Sequence, residues 1–525
     1  MSENKKQNLA KTAVLMGMII LFSKVAGLVR DMLVASSFGT TEAAIAYETA
    51  SKLPLTIFDF ILGGVVTSAF IPIYNSIAVK KGKKDALAFS QSYVNLILVI
   101  TSAIALIGVV FAASLVRFIA PELTESVSAL AANLTRIMFP MVIFVGLAFS
   151  FVGFLQSEGE YNIPAVISLV SNGIMIVYLI FFADRFGVTG LSVAMLVGWG
   201  AQAAVQIPAV VKRGFRYKLT APLGTPEIGQ AAKNTLPILI ATWTTPVCAL
   251  INNSIASGIE GGRAINALGY ANKLYIIIVG LFSFVATNLL FPYFSRAAAS
   301  GDSNESDRLT RTSLKILVFI IAPIAVGVGV LSKEFIALVY ERGEFNPSDT
   351  LITAEAMRSY AVGMLFAAVG EVLTKAFFAV QKTKIPMISS LISMTGNVAV
   401  ILIFGKSLGI GGIALVSGLA TALNMTLNYI FARRHGLITH SGKDIADIVK
   451  SLLSSGIMGV AVYFTSRYLS GHGKLIDFIL PVLVGVVIYA LSAFILRSDE
   501  ITGLIGAVKG KFIKRKKGDE NDQGA

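Results

Sequence analysis

Long apolar stretches alternate with short polar ones along almost the whole chain. The apolar segments fall at about 11–36, 45–77, 87–115, 129–157, 162–183, 188–211, 233–257, 265–296, 310–333, 351–380, 385–405, 409–433, 446–468 and 475–497. Each reaches or exceeds the about 20 residues with which a helix crosses a bilayer. Fourteen membrane helices are therefore predicted, all-α and polytopic. No connection is longer than roughly 25 residues, which leaves no room for a soluble catalytic domain.

Composition agrees with the pattern and narrows it. Of 525 residues, 55% are hydrophobic and 14% charged, against about a quarter charged in soluble domains, and the mean hydropathy is +0.75. A soluble enzyme is excluded. The 44 Lys and Arg against 30 Asp and Glu, formally +14, do not point to nucleic acid. The cations sit in short runs between apolar segments: Lys5 and Lys6, Lys80 to Lys84, residues 212–218, Arg308 and Arg311, Arg433 and Arg434, and residues 509–517. With an even helix count all of these lie on one side, which by the positive-inside rule is the cytoplasm, together with both termini. The basic tail reads as a retention signal that also meets anionic lipid. The loops with Glu122 and Glu125, and with residues 334–344, then face outward. No cleavable signal peptide is expected, because Lys24, Arg30 and Asp31 interrupt the first apolar stretch. Cys248 is the lone cysteine, and His435, His440 and His472 lie in polar segments, so no disulfide framework, metal site or haem is expected.

The chain repeats itself. Ile163-Pro164 recurs as Ile385-Pro386, Gly187 and Gly190 as Gly409 and Gly412, and Lys212-Arg213-Gly214 as Arg434-His435-Gly436, each at an offset of 222 residues. Ser51-Lys52-Leu53 with Pro72 is answered by Asn272-Lys273-Leu274 with Pro292, at offsets of 221 and 220. Six spans separate equivalent positions, so the two copies share one orientation and an axis along the membrane normal. The expected organisation is a lobe of six helices over 1–218, a second over 219–436, two extra helices over 437–497 and a basic tail over 498–525. Two such lobes around a central cavity suit a rocking, alternating-access transporter.

Ionisable side chains inside spans are the strongest functional signal, since each costs at least about 2.5–3.5 kcal/mol to insert. The first span carries Lys24 and Asp31 seven residues apart on one face, with Arg30 about 100° round the helix. The second carries Glu48, Lys52 and Asp59, with Pro54 between them, and Lys273 is the repeat mate of Lys52. Lys24, Arg30, Lys52 and Lys273 form a candidate cationic site for a phosphorylated group. Structural ion pairing is the competing use of Lys24 with Asp31 and of Lys52 with Asp59, and it is favoured for Glu371 with Lys375. Arg136 suits either the cavity or a snorkelling position. Asn252 and Asn397 are candidates for a coupling cation, with helix–helix hydrogen bonding as the alternative.

The residues also resemble a known family. The run Ser23-Lys24-Val25-Ala26-Gly27-Leu28-Val29-Arg30-Asp31, then Lys52-Leu53-Pro54 and Ala69-Phe70-Ile71-Pro72, is similar to the MviN/MurJ lipid II flippases of the multidrug/oligosaccharidyl-lipid/polysaccharide exporter superfamily. Further matches are Thr135-Arg136 with Pro140, Tyr270-Ala271-Asn272-Lys273-Leu274, Glu341-Arg342-Gly343-Glu344-Phe345 and Gln381-Lys382-Thr383-Lys384-Ile385-Pro386. The resemblance implies a bacterial cytoplasmic-membrane protein that turns lipid II, undecaprenyl-diphosphate bearing a disaccharide-pentapeptide, from inner to outer leaflet. By the same resemblance Lys24, Arg30, Asp31 and Lys273 belong to a central cationic cavity, and the last two helices form a groove for the lipid tail. Many members have paired arginines where this chain has Phe58 and Asp59, and arginine is frequent at Lys24 and Lys273.

The expected protein is a monomer, not an enzyme, with lipid II or a related polyprenyl-diphosphate glycolipid and membrane lipids as partners. No cofactor is expected beyond a coupling cation, sodium or proton, since no phosphate-binding P-loop motif occurs. The alternatives are a flippase for another polyprenyl-linked polysaccharide and a cation-coupled drug exporter. A drug exporter would line its cavity with acids and aromatics, which the excess of Lys and Arg opposes.

Overall fold

A computed structural model describes residues 3–61, 70–219, 244–285, 290–300, 303–439 and 442–502, which are helical between short connections and contain no strand. The helices are α1 (Glu3–Phe38), α2 (Glu42–Ile61), α3 (Ile71–Lys80), α4 (Lys83–Val110), α5 (Ala112–Ile119), α6 (Glu125–Met138), α7 (Met141–Ser157), α8 (Asn162–Phe181), α9 (Ala183–Ala204) and α10 (Ile207–Lys212). They continue as α11 (Thr244–Ala256), α12 (Arg263–Val285), α13 (Phe291–Ala299), α14 (Ser303–Val330), α15 (Ser332–Tyr340), α16 (Pro347–Ala379), α17 (Lys384–Arg434), α18 (Gly442–Leu469) and α19 (Lys474–Ile495). Among the described residues, nine segments are long and apolar enough to cross a membrane. The chain is a multi-pass membrane protein. Two of the predicted spans, 385–405 and 409–433, run into each other as α17. Parts of the spans at 45–77 and 233–257, together with His440 and the tail at 509–517, lie outside the described residues.

Proline and glycine set the boundaries. Pro72 and Pro292, a matched pair in the sequence, each sit in the first turn of a short helix, α3 and α13, where the missing N–H has no intrahelical partner to lose. Left-handed backbone repeats with the sequence. Gly39, Gly159, Gly187 and Gly214 have φ of 54°, 78°, 54° and 93°, and 222 residues on, Gly261, Gln381, Gly409 and Gly436 have φ of 62°, 59°, 66° and 68°. The corner at Gly187 (ψ −150°) matches that at Gly409 (ψ −167°), in a region of backbone space essentially reserved for glycine. Three residues later a side chain at Gly190 would meet Cβ of Phe186 at 2.7 Å, and one at Gly412 would meet Cβ of Leu408 at 2.2 Å. The duplication is therefore written in backbone conformation as well as in sequence.

The chain divides into two compact units: Met1–Gly269 with Tyr340–Asp349 and Ile401–Ser407, and Tyr270–Val339 with Thr350–Val400 and Leu408–Ala525. In the first, α1 packs on α8, α2 on α6, and α4 and α9 on α7. An aromatic core of Phe70, Tyr74, Phe89, Tyr93, Phe154 and Phe215 closes one end. The segment after α10 lies along α4, where Gln91 Nε2 donates to the Arg216 carbonyl (2.7 Å) and Asn95 Nδ2 to that of Lys218 (2.9 Å).

In the second unit α18 packs on α14 and α19. Phe319, Leu331, Met458, Val462, Tyr489 and Ala493 form the apolar contact, and the Tyr489 hydroxyl donates to the Phe319 carbonyl (2.6 Å). A charged network continues it. Arg311 pairs with Asp307 (3.1 Å) and Asp444 (2.7 Å), Lys315 with Asp444 (3.2 Å) and Asp447 (3.3 Å), and Lys450 with Asp447 (3.2 Å). Three cations meet three acids, so the buried Asp447 stays compensated.

Substitution at the matched corners tests the repeat. Gly187→Ala and Gly409→Ala are each expected to cost about 1–3 kcal/mol in denaturant unfolding in detergent. Gly173→Ala, at a helical glycine with open space around it, is expected to stay within about 0.5 kcal/mol of the parent.

Candidate functional site

The first three charges of the predicted site lie on α1, a helix of 36 residues. Lys24 is exposed and makes no ion pair among the described residues. Asp31 is buried, 7% exposed, and its partner is the neighbouring Arg30 and not Lys24. Nη2 and Nε of Arg30 donate to Asp31 Oδ1 at 2.9 and 3.2 Å. A wheel of ideal side-chain directions separates Arg30 from Asp31 by about 100°, but the long arginine stem folds its fork back across that angle. The other arm of the fork, Nη1, donates to Oδ1 of Asn172 on α8 (2.9 Å). Asn172 Nδ2 in turn donates to the Ser23 carbonyl (3.3 Å). Gly27 faces this contact: a side chain there would touch Asn172 Nδ2 at 3.6 Å.

On α2, Glu48 and Lys52 are one turn apart. The helix runs through Pro54 without ending. Lys52 Nζ donates to Oδ1 of Asn253 on α11 (2.8 Å), and Asn253 Nδ2 donates to the Ile119 carbonyl (3.0 Å). The Glu48 carboxylate reaches α12, where a side chain at Gly269 would lie 2.9 Å from Oε1, and its field also acts on Arg30. The first unit thus brings Arg30, Asp31, Glu48 and Lys52 onto α1 and α2 with polar partners from α8 and α11.

The remaining candidates stand elsewhere. Arg136 is exposed and donates to Asn133 on its own helix (2.7 Å). Asn252 is half-buried beside Asn253. In the second unit Lys273 lies over the Tyr270 ring, 5.2 Å from its centroid, a cation–π contact. There too, Asn397 on α17 is buried, and Lys375 pairs with Glu371 (3.3 Å). The side chain of Asp59 lies outside the described residues. No group of three or more His, Cys, Asp or Glu among the described residues could hold a metal ion.

Sequence reasoning missed Asn172 and Asn253, although both are amides in apolar runs, the signal that singled out Asn252 and Asn397. It also missed a buried polar clasp at the far end of α1. Thr40 Oγ1 donates to Asp349 Oδ1 (2.5 Å), and Arg263 donates to Asp349 Oδ1 (2.6 Å), Thr40 Oγ1 (3.0 Å) and Ser348 Oγ (2.7 Å). The Glu344 N–H donates to the Ser36 carbonyl (2.8 Å). The chains cross so closely that Cβ atoms at Gly39 and Gly343 would meet backbone oxygens at 2.5 and 2.2 Å. The motif at residues 341–345 is therefore the backbone half of this clasp.

At the opposite end of the unit Glu158 accepts from Tyr74 Oη (2.5 Å) and Lys83 Nζ (2.6 Å), and Glu160 accepts from Arg213 (2.5 Å). Burial acts to raise the Glu158 pKa, but the bonds from Lys83 and Tyr74 and the nearby cations outweigh it and hold the carboxyl below its ordinary value.

Two measurements follow. Asp349→Ala leaves Thr40 and Arg263 without their acceptor and is expected to cost about 3 kcal/mol in detergent unfolding. The depressed Glu158 carboxyl contributes stability that is present at neutral pH and lost as pH falls through its folded-state value. A pH titration of the melting temperature should show a shallower acid limb for Glu158→Gln than for the parent.

Residues 34–484 match the family model described as "Lipid II flippase MurJ". A "Probable lipid II flippase MurJ" of Rhizobium meliloti (strain 1021) is 28% identical over 475 residues, 88% of each chain. The fold is similar to that of a solved lipid II flippase MurJ in an inward closed conformation, with TM-score 0.81 and 24% identity over 93% of this chain and 100% of the other. It is also similar to an inward-facing multidrug resistance MATE family transporter, with TM-score 0.68 and 15% identity over 81% of this chain and 98% of the other.

Proposed function

Because this chain belongs to the lipid II flippase MurJ family, we propose that it carries lipid II, undecaprenyl-diphosphate bearing a disaccharide-pentapeptide, from the inner to the outer leaflet by alternating access. The observation that carries this reading is the pair of cations on α1 and α2. Arg30 and Lys52 each donate to an amide oxygen on another helix, which fixes where the two cationic groups stand. Such cations suit a diphosphate stripped of water. Lys24 and Lys273 supply further positive charge to the headgroup, and Asp31 and Glu48 keep the site from being purely cationic when empty. Arg136 has a lesser role.

The headgroup crosses within the protein while the polyprenyl tail stays in lipid. The exposed apolar residues Leu453, Val460 and Phe464 of α18 and Val486 and Val487 of α19 suit a groove for that tail. Nothing covalent is made or broken, so the reading needs no catalytic residue and no cofactor. The energy comes from a coupling cation, sodium or proton, or from the membrane potential. Asn252 and Asn397 are the candidate ligands of that cation. The protein works as a monomer in the bacterial cytoplasmic membrane, with both termini inside.

Complementation tests the reading. A bacterium depleted of its own lipid II flippase should grow when it expresses this chain. Arg30→Ala and Lys273→Ala variants, present at equal membrane levels, should fail to support growth. Failure of the well-expressed parent would overturn lipid II as the substrate in favour of another polyprenyl-linked glycan.

A further inference from the structure

The hairpin of α8 and α9 carries a groove of about 560 Å³ that no step of the proposed transport uses. Its walls include Val177, Tyr178 and Phe182 on the α8 side and Phe186, Val193 and Val197 on the α9 side. All of these but Tyr178 are exposed, and both helices are long and apolar enough to cross a membrane, so the groove opens to lipid. Its volume falls within the about 300–1,000 Å³ of small-ligand sites. From the corner at Gly187 to Val197 the helix rises about 15 Å at 1.5 Å per residue, half of the about 30 Å hydrocarbon core. The groove therefore runs one leaflet deep, the reach of a single acyl chain.

The corner above it is pinned and charged. Gly187 turns the chain with φ 54° and ψ −150°, the Tyr178 hydroxyl donates to the Gly187 carbonyl (2.7 Å), and a side chain at Gly190 would run into that hydroxyl. The rings of Tyr178, Phe182 and Phe186 follow one another at centroid distances of 6.4 and 6.5 Å. The Arg185 guanidinium lies over the Phe186 ring, 5.3 Å from its centroid, and Asp184 is exposed beside it. The repeat shows that the fold itself does not require this arrangement. At an offset of 222 residues Tyr178, Asp184, Arg185 and Phe186 are answered by Val400, Lys406, Ser407 and Leu408. There the corner makes a protein contact, the ion pair of Lys406 with Glu122 (2.5 Å).

We propose that the groove seats one acyl chain of an aminophospholipid of the phosphatidylethanolamine type, whose phosphate meets Arg185 and whose ammonium meets Asp184. A guanidinium presents paired N–H groups to phosphate oxygens, and a primary ammonium donates to a carboxylate, which a quaternary choline cannot do. The head group brings two opposite charges to two opposite charges, so the fit does not depend on either side chain being uncompensated in the protein. A lipid with a net negative head group would satisfy Arg185 and leave Asp184 facing like charge. A choline lipid would leave the carboxylate without a hydrogen bond.

The full-length protein, purified in detergent, is offered dioleoyl phosphatidylethanolamine, phosphatidylcholine or phosphatidylglycerol and followed by native mass spectrometry. One phosphatidylethanolamine should be held about tenfold more tightly than either of the others, the size of one charge-assisted hydrogen bond. Asp184→Ala should abolish the preference over phosphatidylcholine, and Arg185→Ala should weaken all three. Val193→Trp fills the groove and should remove the tightly held lipid, whereas Val99→Trp on α4 should not. All four positions are exposed, so the variants leave the core intact. Phosphatidylcholine or phosphatidylglycerol held as tightly as phosphatidylethanolamine overturns the proposal, as does retention unchanged by Asp184→Ala and Val193→Trp. Displacement of the lipid by equimolar undecaprenyl phosphate also overturns it, since the groove would then be a seat for a polyprenyl chain.

Discussion

A cation inside a membrane span has to satisfy two opposed requirements. It needs partners, because an unsolvated ammonium or guanidinium is costly in hydrocarbon, and those partners must not take up all of its hydrogen-bonding capacity if it is to bind an anion. In the first unit amide oxygens from other helices help to hold Arg30 and Lys52, and Asp31 pairs with Arg30 as well. The requirement reaches into the packing, since Asn172 joins α1 to α8 and Asn253 joins α2 and α11 to the end of α5. The helices that carry charge are therefore also the helices tied together by hydrogen bonds, and Gly27 stands where the α1–α8 contact is made.

Other charged groups are met by opposite charges, as Arg30 is by Asp31. Asp349 is satisfied by Arg263 and Thr40, Glu158 by Lys83 and Tyr74, and Asp444 and Asp447 by Arg311, Lys315 and Lys450. These are acid–base pairs with several hydrogen bonds each, the form in which buried charge is least costly.

Much of the architecture was legible in the sequence. Apolar segments long enough to span a bilayer need no partner to declare themselves, because backbone hydrogen bonds must be closed within each segment wherever the surroundings are hydrocarbon. The duplication was legible as well, through Gly187 and Gly409, whose positive φ is a local demand that glycine meets and most residues do not. The same rule explains why Gln381 hid its membership of the series: it takes the left-handed conformation of its mate Gly159 without the residue that would announce it. Arg30, Asp31 and Lys52 stood out because charge in an apolar run is rare.

What the sequence did not determine was the pairing. Lys24 and Asp31 share a face in a helical projection, yet Asp31 takes its immediate neighbour Arg30, because a long side chain can cross the angle that Cβ directions set. Asn252 and Asn253 are indistinguishable by composition, and only the rotation of α11 turns the second toward Lys52. Asn172, 142 residues from Arg30, and Asp349, 309 residues from Thr40, meet their partners through packing alone. Periodicity and the cost of burial act on each segment by itself, so the sequence by itself determined that the chain is a helical, multi-pass membrane protein and which charges are unusual. Hydrogen bonds between helices depend on the rotation and depth of two segments at once, so only the tertiary structure decided which amide holds which cation.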